Sequence, residues 1–343
     1  MFSHCTSKAT TAAALVLVLS GCAAPAGAPA TAIEPEEQVG KTSEALISDA
    51  FNWGWYYYGF NYWLVGRGLN GTDLNGKALD GHGVLGVSLR GVKKDGAALH
   101  DVWLANDQFY AEDSHNKLVG PSAFVGVEFT AVLDNGEQTA VRIDAIEPGE
   151  RGVPHYTVTY ATKTGRNSLC GSRADGTMVR AVALNGRWDY RLGVRGGGSR
   201  ISDSSAFTFA CEGFVLEKCV EMGYEPWRSG WVCNHSMCGY LSLEDHHQAC
   251  TRAVRADYCG DGNSYTQDGT PLNTYDGVGI RRDMDKWPFE AEWDDSGARC
   301  VTRRRSSATA KPPCWDKLDN EKHCGDTDHF RRGGTLLMTE DQP

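Results

Sequence analysis

The chain predicts a mixed fold: a mainly β N-terminal region, built as an antiparallel barrel or sandwich, followed by a disulfide-rich α+β region with two helices. Three observations predict it. Alternating apolar segments between residues 85 and 188 are separated by Asn-Gly turns. Two later stretches repeat apolar residues at steps of three and four, the helical period. Apart from Cys5 and Cys22, every cysteine falls after residue 169. The expected organisation is a signal peptide over 1–21, a disordered tether over 22–50, a β-rich domain over 51–195 and a disulfide-rich domain over 196–343.

The export signal comes first. One positive charge, Lys8, precedes the apolar run Ala12 to Leu19, which is far too short for a hydrocarbon core of about 30 Å. The run ends in Leu19-Ser20-Gly21-Cys22. This resembles the lipobox of bacterial lipoproteins, which implies cleavage before Cys22 and lipidation of that cysteine. An ordinary secretory signal is the alternative. Ala23 stands where an inner-membrane retention signal would often place Asp, so the expected location is the cell envelope at the outer membrane, held by lipid alone. The alternative location is secretion. Residues 23 to 50 are rich in Ala, Pro and then Glu, without periodicity, and read as a tether.

Between Phe51 and Trp63, nine of thirteen side chains are aromatic. Alternation at 51, 53, 55 and 57 suits a strand with its rings in a β core; stacking on sugars and anchoring at a membrane interface are the other readings. Leu69-Asn70-Gly71, Leu74-Asn75-Gly76 and Leu79-Asp80-Gly81 are successive turns, because Asn, Asp and Gly tolerate positive φ. Phe124 to Leu133 and Thr139 to Ile146 flank Asp134-Asn135-Gly136, a hairpin signal. His155 to Thr162 alternates, and Met178 to Leu184 meets Asn185-Gly186 before Trp188.

After Gly196-Gly197-Gly198 the pattern changes. Ala210, Cys211, Phe214, Val215, Cys219 and Met222 share one stripe and predict a helix ending near Gly223. Cys211 and Cys219 would then be about 12 Å apart along its axis, too far for a mutual bond, so each must staple the helix elsewhere. A second helix opens at Ser242, with Asp245 in a capping-box arrangement, and stops at Cys259-Gly260. Its Cys250 is placed to face a cysteine of the first helix. Short strands are expected at Gly277 to Arg281 and Arg299 to Arg303.

Ten cysteines remain after export and lipidation: Cys170, Cys211, Cys219, Cys233, Cys238, Cys250, Cys259, Cys300, Cys314 and Cys324. An even number in an exported chain reads as up to five disulfides. Zinc on Cys233 and Cys238, or on Cys314 and Cys324, is the competing reading; it would need four well-placed ligands. Hydrophobic content of 41 % with ten tryptophans supplies a core, and a net charge of −10 argues against nucleic acid as a partner. Arg303-Arg304-Arg305 reads as a solvated basic loop, with an anion or lipid headgroup contact as the alternative.

The run His247-Gln-Ala-Cys250, continuing through Ala256-Asp257-Tyr258-Cys259 to Gly262, resembles the bacterial ADYC family, named for residues 256 to 259. The similarity reaches upstream through Thr208-Phe-Ala-Cys211 and Lys218-Cys219 to Gly223-Tyr-Glu-Pro-Trp227. Downstream it takes in Gly269-Thr270, Tyr275-Asp276, Phe289-Glu-Ala-Glu-Trp293 and Gly297-Ala-Arg-Cys300. It implies a shared exported, cysteine-containing fold and carries over no catalytic residue.

Three constellations carry chemistry on paper. His247 with Asp257 suits acid–base work, and Cys250 three positions from His247 suits a nucleophile, although i,i+3 neighbours on a helix meet for geometric reasons alone. Asp261, Asn263 and Asp268, in a glycine-containing loop, offer oxygen ligands to calcium; Asx-turns account for them equally well. Glu290 and Glu292, at i,i+2, share one strand face, as the paired carboxylates of glycosidases would. No nucleophile elbow, zinc-protease motif, phosphate loop or dinucleotide fingerprint is present. The functional expectation is a lipid-anchored extracytoplasmic protein of the cell envelope that binds or builds, with carbohydrate or another envelope component as partner and no cofactor beyond calcium. The alternative is a secreted hydrolase acting on polysaccharide or peptide polymers.

Overall fold

The computed structural model describes residues 68–69, 72–76, 82–113, 115–233, 238–283, 286–308, 310–318 and 323–342. All fall in one compact unit, Glu37–Pro343. Cys22, the tether and the aromatic run 51–63 lie outside the described residues.

Six antiparallel strands close a barrel: β1 (Val84–Lys94), β2 (Val127–Leu133), β3 (Gln138–Pro148), β4 (Pro154–Thr162), β5 (Ala181–Asn185) and β6 (Ala206–Cys211). The order around the barrel is β4-β5-β6-β1-β2-β3, and β3 pairs back to β4. Closure satisfies the edge N–H and C=O groups that an open sheet would expose. In β2 burial alternates strictly, with Val127, Phe129, Ala131 and Leu133 inside. A hairpin inserted between β1 and β2 (His100–Ala105 and Gln108–Glu112) delivers Phe109 into the barrel core. Its ring lies 4.8–6.2 Å from five others: Phe124, Phe129, Tyr156, Phe207 and Phe209. A fully buried ring with that many partners is worth about 3–5 kcal/mol against truncation to Ala.

The second layer holds α1 (Val215–Glu221), α2 (Glu244–Arg255) and a sheet of β7 (Thr270–Asp276), β8 (Phe289–Asp294), β9 (Gly297–Val301) and β10 (Leu337–Asp341), ordered β7-β10-β8-β9. Gly68–Leu69 adds a short strand beside β7. The two layers share a wall. Ala181, Ala183, Phe207 and Phe209 face the barrel core, whereas Val182, Leu184 and Ala210 join the core built on the helices. Strands β5 and β6 therefore read as largely apolar runs, interrupted by Thr208 and ending at exposed Asn185, because both of their faces are buried.

Mainly β architecture with a barrel and two principal helices is what the sequence predicts. Several boundaries differ. Ala210 and Cys211 end strand β6, and the first helix starts only at Val215. The barrel wall claims these residues because their neighbours on both faces are apolar. The second helix stops at Arg255 rather than at Cys259, since Ala256 adopts a left-handed conformation (φ 52°) that turns the chain. The strand expected at Gly277 to Arg281 is a turn, in which Asp276 accepts the N–H groups of Val278, Gly279, Ile280 and Arg281. In the second of the repeated Leu-Asn-Gly turns, buried Asn75 bonds the backbone of Phe209 and Cys211 and pins the end of β6.

Four disulfides are present among the described residues: Cys170–Cys211, Cys219–Cys250, Cys259–Cys314 and Cys300–Cys324. Cys238 is also disulfide-bonded. Cys219–Cys250 is the α1–α2 cross-link that helical spacing implies. With Cys314 and Cys324 each bonded to a different partner, neither is free to ligate zinc. No helix among the described residues is long and apolar enough to cross a membrane.

Candidate functional site

The residues singled out from the sequence occupy separate places, with His247, Cys250, Asp257, Glu290 and Glu292 buried and Asp268 exposed. His247 is 1 % exposed and its Nε2 donates to the Leu216 carbonyl at 2.9 Å. Burial pushes its pKa down to about 4, so the ring is neutral at pH 7. It packs edge-on to Trp188 and links α2 to α1. Cys250 is bonded to Cys219 and has no thiol to ionise. Glu292 accepts the Gly325 N–H and the Thr335 hydroxyl and pairs with His329 at 2.8 Å. Its carboxylate lies within 4.8 Å of the Cys300 and Cys324 sulfurs, but those sulfurs are joined to each other. Asp261 accepts from Asn263, while Asp268 accepts from Thr72. Asp261 and Asn263 are thus bonded to each other, and Asp268 is drawn away to Thr72.

A cleft of ≈ 320 Å³ opens elsewhere, between the barrel hairpin and the loop that follows α1. Asn106, Asp107 and Gln108 line one side; Glu225, Trp227 and Arg228 line the other. Asn106 and Asp107 both have positive φ (47° and 62°), the pair that a two-residue hairpin turn requires. Tyr156, inside the barrel, donates to the Asp107 carbonyl at 2.7 Å and fixes the turn. Across the cleft, Glu225 is 1 % exposed and forms ion pairs with Arg151 (3.1 Å) and Arg228 (2.5 Å). Asp107 is 4 % exposed, and its carboxyl stands near Glu225 and Arg228. Burial, reinforced by the neighbouring Glu225 and opposed by Arg228, pushes it up to about 8. It is therefore a neutral acid at pH 7, facing a polar cleft.

Sequence reasoning missed this pair because 118 positions separate Asp107 from Glu225 (225 − 107). One local signal exists: Asn106-Asp107 lies between two segments with strand propensity, and Asp stands where Gly is usual in such a turn.

The ADYC domain family model matches residues 121–307, more than half of the chain. The chain belongs to the ADYC domain family. No curated protein and no solved structure matches it. The matched span begins just before barrel strand β2, so the ADYC domain takes in most of the barrel as well as the helix layer. The four residues of the motif all build structure. Ala256 makes the left-handed turn that ends α2. Asp257, fully buried, pairs with Arg252 and accepts the N–H groups of Asp261 and Gly262. Tyr258 stacks on Trp293 at 5.3 Å and donates to Glu290 at 2.5 Å. Cys259 is bonded to Cys314. Glu290 in turn pairs with Arg305, whose guanidinium donates to the Ala253 and Val254 carbonyls at the end of α2. Arg305 is thus 2 % exposed, a correction to the solvated basic loop read from the sequence. Glu290 and Glu292 do not converge; each closes its own network.

Proposed function

We propose that this ADYC domain protein is an exported protein of the cell envelope, anchored at the outer membrane through lipid on Cys22, and that its role is to bind an envelope component. The observation that carries the binding reading is the cleft: it is where a buried carboxyl, an indole and a guanidinium meet open space. The carboxylates and histidines favoured from the sequence are committed to holding α2 and the second sheet. The disulfides support folding in an oxidising space, because such bonds persist outside the cytoplasm. Two measurements test the proposal. Palmitate labelling of the membrane fraction should be lost in Cys22→Ala. Co-sedimentation of the full chain with purified peptidoglycan sacculi should be lost in Asp107→Ala; retention of binding there would remove the cleft from the proposal.

One observation favours the hydrolase as a second reading. Asp107 is protonated at pH 7 and shares the cleft with a second carboxylate, Glu225, as an acid and its partner would. In that reading the Asp107 proton passes to the bridging oxygen as the C–O bond breaks, water adds its hydroxyl to the freed carbon, and the proton that water sheds returns to the Asp107 carboxylate. Turnover on a polysaccharide panel that disappears in Asp107→Asn, with binding kept, would establish it.

A further inference from the structure

We propose that the cleft is a saccharide site, in which Trp227 supplies the apolar face for a sugar ring and Asp107 donates the hydrogen bond that orients it. The proposal rests on the binding function above and names its ligand class. Five of the residues facing the cleft, Asn106, Asp107, Gln108, Glu225 and Arg228, carry hydrogen-bonding side chains around one indole. An apolar ligand would strip water from all of them without replacing their bonds, at a few kcal/mol per group. A compact cation would meet Arg228 and Arg151. An anion would meet Glu225, whose charge those arginines already balance. What remains is a neutral ligand dense in hydroxyls with one apolar face, and sugars have that form. A volume of ≈ 320 Å³ sits at the small end of ligand sites, which run to roughly 1,000 Å³.

The protonation state of Asp107 gives this site a signature. Facing it are Glu225 and Arg228 on the loop after α1, Arg151 behind Glu225, and Tyr156 on β4. Burial pushes the Tyr156 phenol above its usual range, so between pH 7 and 9.5 the change that matters in this group is the loss of the Asp107 proton. Ionised, the carboxylate has no hydrogen to give and meets the repulsion of Glu225. Asparagine keeps an N–H donor at every pH.

The test titrates the full chain calorimetrically with chitotetraose, cellotetraose and maltotetraose at pH 7 and 9.5, and sediments it with peptidoglycan sacculi in parallel. The proposal expects at least one tetrasaccharide to bind at pH 7 and to weaken roughly tenfold or more at pH 9.5, the population change of a group titrating near 8. Asp107→Asn should bind equally at both pH values, and Trp227→Ala should lose tenfold or more at pH 7. The wild-type comparison needs no folded variant. Saccharide binding that ignores pH overturns the role of Asp107. Sacculi that bind while every tetrasaccharide fails overturn the ligand class and leave the envelope function standing. Failure of both probes overturns the envelope-binding function with it.

Discussion

Replacing Glu290 by glutamine separates a structural carboxylate from a catalytic one. Glu290 is 0 % exposed, and it accepts from Arg305 Nε at 3.1 Å, from Arg305 Nη2 at 3.0 Å and from the Tyr258 hydroxyl at 2.5 Å. Glutamine keeps the shape and one acceptor oxygen but removes the charge, so a buried guanidinium is left with neutral acceptors, that amide oxygen and the Ala253 and Val254 carbonyls. Removing one partner of a buried ion pair costs about 3–5 kcal/mol. With a urea m-value near 3 kcal/mol/M, the unfolding midpoint should fall by about 1 M or more. Equilibrium urea unfolding followed by tryptophan fluorescence reads this directly. Glu290→Gln combined with Arg305→Met should cost less than the sum of the two single changes, by at least about 1 kcal/mol, because the second change removes the stranded charge. A single-variant midpoint within 0.2 M (about 0.6 kcal/mol) of the parent, or an additive double variant, would refute the argument.

Cys219→Ala with Cys250→Ala opens a loop spanning 31 residues and should cost about 3.5–4 kcal/mol in the same assay; a loss under 1 kcal/mol would mean the disulfide braces little. His247 is depressed by burial from 6.5 to about 4. Its contribution is therefore complete above pH 6.5 and is lost as pH falls toward 4, by about 3 kcal/mol in all. His247→Phe should flatten that part of the stability–pH curve, and an unchanged slope would count against a neutral buried ring. With Asp261 bonded to Asn263 and Asp268 to Thr72, the melting temperature should be equal in calcium and in EDTA. A rise of several degrees with calcium would restore the loop as a metal site.

Local patterns were the legible part of this fold. The turn at Asp134-Asn135-Gly136, the alternation of β2 and the facing of Cys250 onto α1 all follow from periods of two and 3.6 residues. What escaped was decided by long-range contact. Residues 206–211 sit in a wall with a core on either side, so their apolar run carries no period to tell strand from helix. Glu290 and Glu292 satisfy the i,i+2 rule on paper. Yet register shifts in β8, between Phe289 and Ala291 and between Glu292 and Trp293, break the alternation that the rule assumes. The cleft depends on a turn at 106–107 meeting a loop at 225–228, and no sequence window contains both.

The position of β10 has a consequence for assembly. It is the latest of the second sheet's strands in sequence, yet it lies in the middle, between β7 and β8, with all five residues buried. Neither neighbour can complete its ladder until the chain through residue 341 is available, although the residues of α1, α2 and the Cys219–Cys250 bond are all present by residue 255. The barrel strands and the disulfide joining the two helices are all in place along the chain well before this sheet, which waits for a keystone delivered at the end. A chain stopped before β10 would leave two half-finished edges open to a neighbour's strand.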